Sequence, residues 1–521
     1  MSILSVKFLG LVIGAAVLVW FLPLRNRQIP VLLANLVFLG LLAPDWLSII
    51  YVVVLALYTW LAGILMPRAK KPVLFIAVLI PVLGLLYFKY AGYLFDGMSL
   101  VMPLGLSFYT FKSISYLYDV NHRKSKAKGI VPVFDYITFF PAFLAGPIHR
   151  CESFFEELDK KFDFDYRDRK NGFIQLCFGL FQKFVIADEL SYLVGQFLKP
   201  ELTGMYTILG VILYAFHIYV DFDAYSNAAI GTARMMGIHL ARNFHTPYLS
   251  SSIQEFWRRW HISLSSWLRD YVYIPLGGNR KGTFRRYLNV LIIFLVSGLW
   301  HGSTWMFVIW GLGHGLLNII EGLYLSLFRG KKIKILSLLG IPLNFVLVSI
   351  LWVFFRSASM SEAVTILVNM TKAMPFKLSA TEVTRNEFVW MAFLLLLVFV
   401  TDIMRYFRDM LEWLAARPFI LRWLVYIVMI VLAIIFGVYG PGYHPSDFIY
   451  VTFYECYEES IGLFTGIDQS RTGTGHSGMC VVFPDPVFSC RKKHGRGSLP
   501  EYARTDTGCF MPGFQSYAVC V

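Results

Sequence analysis

The segment LVSGLWHGSTW, residues 295–305, places His301 in a run that is otherwise apolar enough to lie in a membrane. Polar side chains at membrane depth are costly and usually face a cavity, a partner or a substrate path. A neutral imidazole in an apolar pocket keeps a lone pair that can accept a proton from a hydroxyl group. His301 is therefore the candidate general base, and the neighbouring indole of Trp300 is a candidate substrate contact. His314 and His217 lie in similar apolar runs and are weaker candidates, because either could simply pack in a core.

A second polar group lies in residues 252–270. Ser252 followed by Glu255 resembles a helix N-terminal capping box. A continuous helix turns about 100° per residue, and this would collect the polar side chains on one face: Glu255, Arg258, His261, Ser265 and Arg269. The opposite face would be aromatic. The pattern fits an amphipathic helix at the membrane interface, or a site where guanidinium groups hold a phosphate or carboxylate. A histidine and two arginines on one face favour the site.

A turn rich in proline and glycine, IPLGGNRKG at residues 274–282, follows directly. Asn279 and Arg280 could contact an anionic group there, although most such turns only reverse the chain. Arg285 and Arg286 extend the basic character of the turn. The motif alone is weak, and its meaning depends on what lies nearby.

Several enzyme classes lack their characteristic residues in this sequence. There is no Gly-x-Ser-x-Gly elbow, no Walker A loop and no His-Glu-x-x-His motif. Serine hydrolases, nucleotide-driven pumps and zinc proteases of the usual kinds are therefore disfavoured. The proposed chemistry requires neither a metal nor a bound cofactor.

The elements that position these residues are predicted to be membrane-spanning helices. Of the 521 residues, 57% are hydrophobic and 15% are charged, whereas soluble domains carry about 25% charge. The mean hydropathy is +0.59. Apolar windows of the roughly 20 residues needed to cross a bilayer recur along the chain. We expect an all-α, polytopic membrane protein with about ten to twelve transmembrane helices.

The net charge of +14 is explained by topology and does not indicate a nucleic-acid partner. Basic residues follow the first, third and fifth apolar windows, at residues 25–27, 68–71 and 123–128. The alternate loops, around residues 43–46 and 91–99, contain no basic residue. The positive-inside rule therefore predicts an external N-terminus and cytoplasmic basic loops, facing the lipid of the inner leaflet.

The end of the chain differs from the rest. Residues 451–521 contain five of the seven cysteines and nine of the 40 glycines, without a helical apolar period. A small disulfide-bearing or metal-binding appendage is one interpretation. The cysteine number is odd and the spacings fit no zinc pattern, so we favour a non-catalytic tail. The predicted division is a membrane domain at 1–450 and a cysteine-containing tail at 451–521.

Four motifs in order resemble one family. They are PLGLSFYTFKSISYLYDV at 103–120, FPAFLAGPIHR at 140–150, FWRRWHISLSSWLRDYVYIPLGG at 256–278 and GLWHG at 298–302. Together they resemble the membrane-bound O-acyltransferase family, in its bacterial alginate O-acetylase branch, over about residues 99–450. The resemblance implies tilted, re-entrant and amphipathic helices around a central funnel or tunnel. The acyl donor would enter from the cytoplasm and the acyl group would leave toward the periplasm.

The resemblance also implies roles for the candidate residues. His301 matches the essential histidine of the family, and His261 is expected to line the same passage as a second catalytic residue. The expected donor is acetyl-CoA or another acetyl thioester. Side chains expected to contact the donor or substrate are Arg258, Arg269, Trp300, Asn279 and Arg280.

The expected function is O-acetylation of an exported polysaccharide, an alginate-like polymannuronate or another cell-envelope glycan. The enzyme would lie in the bacterial inner membrane and hand acetyl groups to a periplasmic acetyltransferase. Two alternatives remain open from the sequence. One is D-alanyl transfer toward teichoic acid, and the other, from a different class, is a proton-coupled transporter or flippase.

Overall fold

A computed structural model describes residues 6–21, 27–42, 46–94, 102–160, 164–327 and 334–437. These residues belong to one compact unit. They form helices and, within these ranges, no strand, so the all-α prediction is confirmed. The cysteine-containing tail predicted at 451–521 lies outside the described residues, as do parts of the basic loop at 25–27 and of the alternate loops at 43–46 and 91–99.

Nineteen α-helices are present in the described part of the chain. The first seven are α1 (Val6–Phe21), α2 (Gln28–Leu41), α3 (Trp46–Leu65), α4 (Lys71–Leu94), α5 (Leu106–Asn121), α6 (Ile130–Thr138) and α7 (Cys151–Asp159). The next seven are α8 (Tyr166–Phe181), α9 (Asp188–Phe197), α10 (Met205–Met235), α11 (Ile253–Arg259), α12 (Ile262–Leu268), α13 (Gly282–His301) and α14 (Trp305–Leu327). The last five are α15 (Lys334–Arg356), α16 (Met360–Thr371), α17 (Arg385–Phe407), α18 (Met410–Ala415) and α19 (Phe419–Phe436).

Eight helices in the described ranges are long and apolar enough to cross a bilayer: α3, α4, α10, α13, α14, α15, α17 and α19. Three shorter apolar helical stretches accompany them, at Phe8–Phe21, Gln28–Leu41 and Ile130–Ala142. Large side chains remain exposed along the outer helices, and α19 buries none of its side chains. Exposed apolar helices of this length are what a lipid environment favours. The chain is thus a polytopic membrane protein.

Helix α10 forms the centre of the unit and is the most buried span. It packs closely against α8 through small residues: a Cβ on Gly231 would lie 2.6 Å from the carbonyl oxygen of Gly172. Close approach at small residues is the usual way that helices associate in membranes. Charged groups inside this region are paired, as Lys183 with Asp221 at 2.7 Å and with Asp188 at 3.0 Å.

Helices α13 and α14 form a second close pair, and α13 ends at His301. A Cβ on Gly298 would lie 2.4 Å from the carbonyl oxygen of Phe307, and one on Gly311 would lie 2.3 Å from that of Phe294. Only glycine fits at these two contacts. The pair therefore fixes the end of α13, and with it the backbone of His301.

The single helix predicted over residues 252–270 is wrong. The chain forms two short helices, α11 and α12, separated by an extended Trp260 and by His261, whose φ of 42° is left-handed. Tertiary contacts override the local helical pattern here. The N–H of Ile262 donates to the carbonyl of Asn243 at 2.8 Å, and Trp260 is buried against Phe244 and Trp352.

The capping prediction at the start of this segment is half met. The Ser252 hydroxyl accepts from the N–H of Glu255 at 3.2 Å, but the Glu255 carboxylate accepts from the N–H of Ser251. Glu255 also pairs with Arg259 at 2.7 Å. The pKa of the Glu255 carboxyl is lowered: partial burial raises it, but hydrogen bonds from Ser251 and the charge of Arg259 outweigh burial. Glu255 therefore serves its own helix.

Candidate active site

His301 lies at the end of α13 among three aromatic rings. Its imidazole centroid is 4.7 Å from the Trp300 ring, 5.0 Å from the Trp310 ring and 5.3 Å from the Phe355 ring. The side chain is buried. An imidazole in such surroundings is held in place by packing on several sides, which suits a residue that must meet a substrate in one orientation.

His261 approaches the same group from the break between α11 and α12. Its ring lies 4.7 Å from Phe222 and 6.0 Å from Trp300. Trp300 therefore contacts both histidines, and the structure brings together the three residues that the sequence selected at RRWH and GLWHG. The left-handed conformation of His261 is what turns its side chain inward, because a continuous helix would have kept it beside Arg258.

The cluster continues beyond the predicted residues. Trp257 donates from Nε1 to Nδ1 of His314 at 3.3 Å, and Trp310 lies 5.1 Å from the His314 ring. We use the term ring cluster for the following side chains, each within 6.3 Å of another by ring centroid: Trp257, His261, Trp300, His301, Trp310, His314, Trp352 and Phe355. Trp310 and His314 are four residues apart on α14, and this helical spacing was the signal available in the sequence.

Helix α4 holds the end of α13 through its side chains. The Tyr90 hydroxyl donates to the carbonyl of Leu299 at 2.8 Å and lies 3.3 Å from that of Gly302. Lys89 donates from Nζ to the carbonyl of Trp300 and is buried. The last carbonyls of a helix have no partner within the helix, so α4 satisfies them from outside. The sequence signal for this contact was a lysine late in an otherwise apolar helix, where charged side chains are rare and often functional.

The predicted basic residues line a separate cavity of about 620 Å³. Arg258, Arg269, Arg286 and Asn279 all contribute to its wall, and no carboxylate is present among its lining residues in the described ranges. We call it the arginine cavity. Arg280 is exposed and lies outside this lining.

The arginine cavity extends along α13 toward the ring cluster. Its wall includes Arg286 near the start of the helix and Phe294 two turns later, about 12 Å apart at 1.5 Å per residue. Phe294 lies 5.1 Å from the Trp257 ring, and Trp257 lies 5.8 Å from Trp310. Two indole rings therefore separate the inner end of the cavity from His301.

A second cavity, of about 200 Å³, also contains arginines, but these are mostly paired. Arg405 binds both carboxylate oxygens of Asp223 at 2.6 and 3.2 Å, and Arg242 lies 3.9 Å from Asp409. Because the neighbouring carboxylates offset its charge, this cavity is the weaker of the two for binding an anion.

No group of three or more His, Cys, Asp or Glu side chains in the described residues is arranged to hold a metal ion. The arrangement as a whole consists of a buried imidazole within an indole-rich cluster and, two indole rings away, a cavity with three arginines, of which Arg269 is paired with Asp270 at 2.9 Å. It is suited to proton transfer on a substrate that carries an anionic group at one end.

The fold is that of a multi-pass membrane protein, with His301 buried among aromatic rings at the end of α13. The sequence model of the membrane-bound O-acyltransferase family matches residues 107–362, which include both RRWH and GLWHG. The chain belongs to the membrane-bound O-acyltransferase family, and it is an O-acyltransferase.

Similar proteins of the family carry three kinds of name. A probable alginate O-acetylase AlgI of Pseudomonas aeruginosa is 36% identical over 367 residues, 65% of this chain and 68% of the relative. A peptidoglycan O-acetyltransferase of Helicobacter pylori is 33% identical, over 58% of this chain and 66% of the relative. A teichoic acid D-alanyltransferase of Streptococcus thermophilus is 30% identical, over 51% of this chain and 67% of the relative. All three names describe acyl transfer for a cell-envelope glycan. This shared activity favours an acyltransferase over the alternative of a transporter or flippase.

Proposed function

We propose that this protein transfers acetyl groups from a thioester donor for O-acetylation of an exported polysaccharide, with His301 as the general base. The observation that carries the proposal is the position of His301, buried at the end of α13 within the ring cluster. A base in this position removes the proton from the acceptor hydroxyl as the oxygen attacks the thioester carbonyl. Such assistance accelerates a reaction by roughly 10²- to 10⁴-fold. The higher identity to O-acetylating relatives favours acetate as the acyl group.

The donor binds with its phosphates in the arginine cavity. Three guanidinium groups line this cavity, and one of them, Arg269, is paired with Asp270 at 2.9 Å. The positive charge of the other two, Arg258 and Arg286, favours a phosphate-bearing ligand such as acetyl-CoA. Contacts near the arginine cavity indicate which side of the membrane this cavity faces. Asp270, beside Arg269, accepts a hydrogen bond from Arg150 at 2.9 Å. Tyr271 donates to Asp119 at 2.6 Å, directly before the basic loop at 123–128. By the positive-inside rule this end faces the cytoplasm.

His301 lies toward the opposite face. Its neighbours Lys89 and Tyr90 stand 18 and 19 residues beyond Lys71 on α4, a rise of about 27 Å. The acetyl group thus enters with the donor at the cytoplasmic end and leaves near the periplasmic end. We propose that a periplasmic acetyltransferase receives it there and modifies the polymer. The proposal includes a location in the inner membrane with an external N-terminus, which the positive-inside rule supports.

The role of His301 is tested by His301→Ala in cells that carry the partner genes, with ester-linked acetate on the exported polymer as the readout. His217→Ala is the matched control, because His217 is also buried in a spanning helix but lies outside the ring cluster. We expect acetate to fall at least 100-fold for His301→Ala and to stay within a few-fold of wild type for the control. Normal acetylation by a membrane-inserted His301→Ala protein would refute the mechanism.

The donor site is tested by Arg258→Ala and Arg269→Ala in membrane vesicles supplied with acetyl-CoA. We expect each substitution to raise KM for acetyl-CoA roughly tenfold with a small change in kcat, because lost phosphate contacts weaken binding of substrate and transition state alike. Arg280→Ala is the comparison, since Arg280 lies outside the cavity lining. A larger effect at Arg280 than at Arg258 would move the donor site to the surface of the turn.

D-alanyl transfer is the second candidate, because D-alanyltransferases are among the relatives. The two reactions differ in the group transferred, so the test is isotopic. Cells fed labelled acetate or labelled D-alanine are compared for label released from the envelope by mild base. Release of acetate that depends on His301 supports the proposal, whereas release of D-alanine replaces it with the alternative.

A further inference from the structure

The ring cluster contains four tryptophans whose indole N–H groups fall into two pairs. Trp257 donates to Nδ1 of His314 at 3.3 Å, and Trp352 donates to the Tyr248 hydroxyl at 3.1 Å. Trp300 and Trp310 also bury their indole N–H groups, but neither finds a hydrogen-bond acceptor within the described residues. A buried donor without an acceptor destabilises the protein.

Both of these unsatisfied donors belong to rings that contact His301. The Trp300 ring meets the imidazole at 4.7 Å with an interplanar angle of 72°, and the Trp310 ring meets it at 5.0 Å and 90°. Their side chains are nearly inaccessible, at 6% and 0% exposed. Buried polar groups in proteins usually have a partner, so two unsatisfied indole N–H groups beside one histidine are available to a bound substrate.

We propose that the indole N–H groups of Trp300 and Trp310 donate hydrogen bonds to the acyl carbonyl oxygen as it becomes an oxyanion. This inference rests on the proposed role of His301. The acceptor oxygen bonds to the carbonyl carbon while its proton passes to His301, and the carbonyl π pair moves onto the oxygen. The carbonyl then reforms, the carbon–sulfur bond breaks, and the departing thiolate takes the proton from His301. Both donors act on the intermediate between these two steps.

The two indoles are held rigidly, which is the property that such donors require. Trp300 stacks on Phe111 at 5.4 Å and 18°, and Phe111 stacks on Trp267 at 3.9 Å and 7°. Trp310 stacks on Trp352 at 5.7 Å and 23°. Donors that are already oriented need no reorganisation when charge develops, and removing one such donor typically lowers kcat by about 10²- to 10³-fold.

The basic side chains of the arginine cavity lie too far from His301 to stabilise charge on the acyl oxygen. Arg258 and Arg269 lie in the arginine cavity, two indole rings away from His301. His261 contacts the Trp300 ring on the side of Phe222, so it orients that indole. The proposed donors are thus Trp300 and Trp310, and His261 is a positioning residue.

The test compares Trp300→Phe and Trp310→Phe with Trp20→Phe in the full chain, in membrane vesicles with acetyl-CoA and the partner proteins. All three changes remove the same atoms, but Trp20 lies on α1 outside the ring cluster, and its N–H already has an acceptor in the carbonyl of Met235 at 2.8 Å. We expect kcat to fall roughly 10²- to 10³-fold for Trp300 and Trp310, with KM for acetyl-CoA unchanged. The Trp20 variant should stay within a few-fold of wild type. Equal losses for all three would overturn the inference.

Replacing the indole at position 310 by benzothiophene, through incorporation of benzothienylalanine, guards against loss of fold. This isostere keeps the bicyclic ring and removes only the N–H. A loss of kcat like that of Trp310→Phe supports the donor role, and wild-type kcat refutes it. His301→Ala in the same assay separates the two proposals. If His301→Ala keeps its activity, the proposed general base is refuted. If His301→Ala is inactive but the benzothienyl protein is active, only the proposal about the indole donors is refuted.

Discussion

The contact between α13 and α14 gives a quantitative prediction for Gly298→Ala. The new Cβ would lie 2.4 Å from the carbonyl oxygen of Phe307, about 1 Å closer than the 3.4 Å at which ordinary van der Waals contact begins. The obstacle is backbone, which cannot rotate away as a side chain can. The two helices must therefore separate by up to about 1 Å, one turn before His301.

The expected consequence is catalytic before it is structural. A misplacement of about 1 Å can cost roughly 100-fold in rate, equivalent to about 2.7 kcal/mol in the activation barrier. We expect kcat for acetyl transfer to fall by that factor while the protein still accumulates in the membrane. The assay is acetyl transfer from acetyl-CoA in vesicles, normalised to the amount of inserted protein.

Gly315→Ala is the matched control on the same helix pair. There the nearest atom to a new Cβ is Cδ2 of the Leu291 side chain, at 3.1 Å, and this side chain can shift by a few tenths of an ångström. We expect little change in rate. Wild-type activity in Gly298→Ala, or an equal loss in Gly315→Ala, would refute the view that this glycine contact positions His301.

Three further predictions follow from other contacts. Tyr90→Phe removes the hydrogen bond to the Leu299 carbonyl. We expect the free energy of unfolding in detergent to fall by about 1 kcal/mol and kcat to fall several-fold. Unchanged values would show that α4 does not hold the end of α13. Arg405→Met leaves the buried Asp223 carboxylate unpaired, at a cost of about 3 to 5 kcal/mol, so immunoblots should detect much less protein in membranes. Adding Asp223→Asn should restore part of it, and no recovery would mean that the pair is not the cause. Truncation after residue 450 should leave acetylation intact if the cysteine-containing tail is non-catalytic. An inactive truncated enzyme would contradict the predicted division into a membrane domain and a non-catalytic tail.

Residues 252–270 illustrate where the sequence was informative and where it failed. The residue types made Arg258, His261 and Arg269 candidate site residues, but the assumption of one helix put them on one face. The break at Trp260 and His261 depends on the Asn243 carbonyl, which takes the N–H of Ile262. Asn243 lies outside residues 252–270, so the periodicity within this segment could not predict the break.

In the arginine cavity, residues from separate motifs meet, whereas two neighbours in the sequence do not. Arg258, Arg269 and Asn279 were chosen from two separate motifs, and the fold brings all three to one wall. Arg280 follows Asn279 directly and shares its charge pattern, yet it lies outside that wall. Neighbouring residues in a turn project in different directions, so membership of the cavity could not be read from the order of residues.

The sequence by itself determined that this is an all-α membrane protein with His301 as its most informative residue, because hydropathy and the cost of polar groups in lipid act at the level of single segments. Motif order supplied the family. Only the tertiary structure decided which side chains surround His301. Trp310 and Phe355 come from α14 and α15, and Lys89 and Tyr90 come from α4. These contacts depend on how distant helices pack, and packing is fixed by shape complementarity over the whole bundle, which no single segment contains.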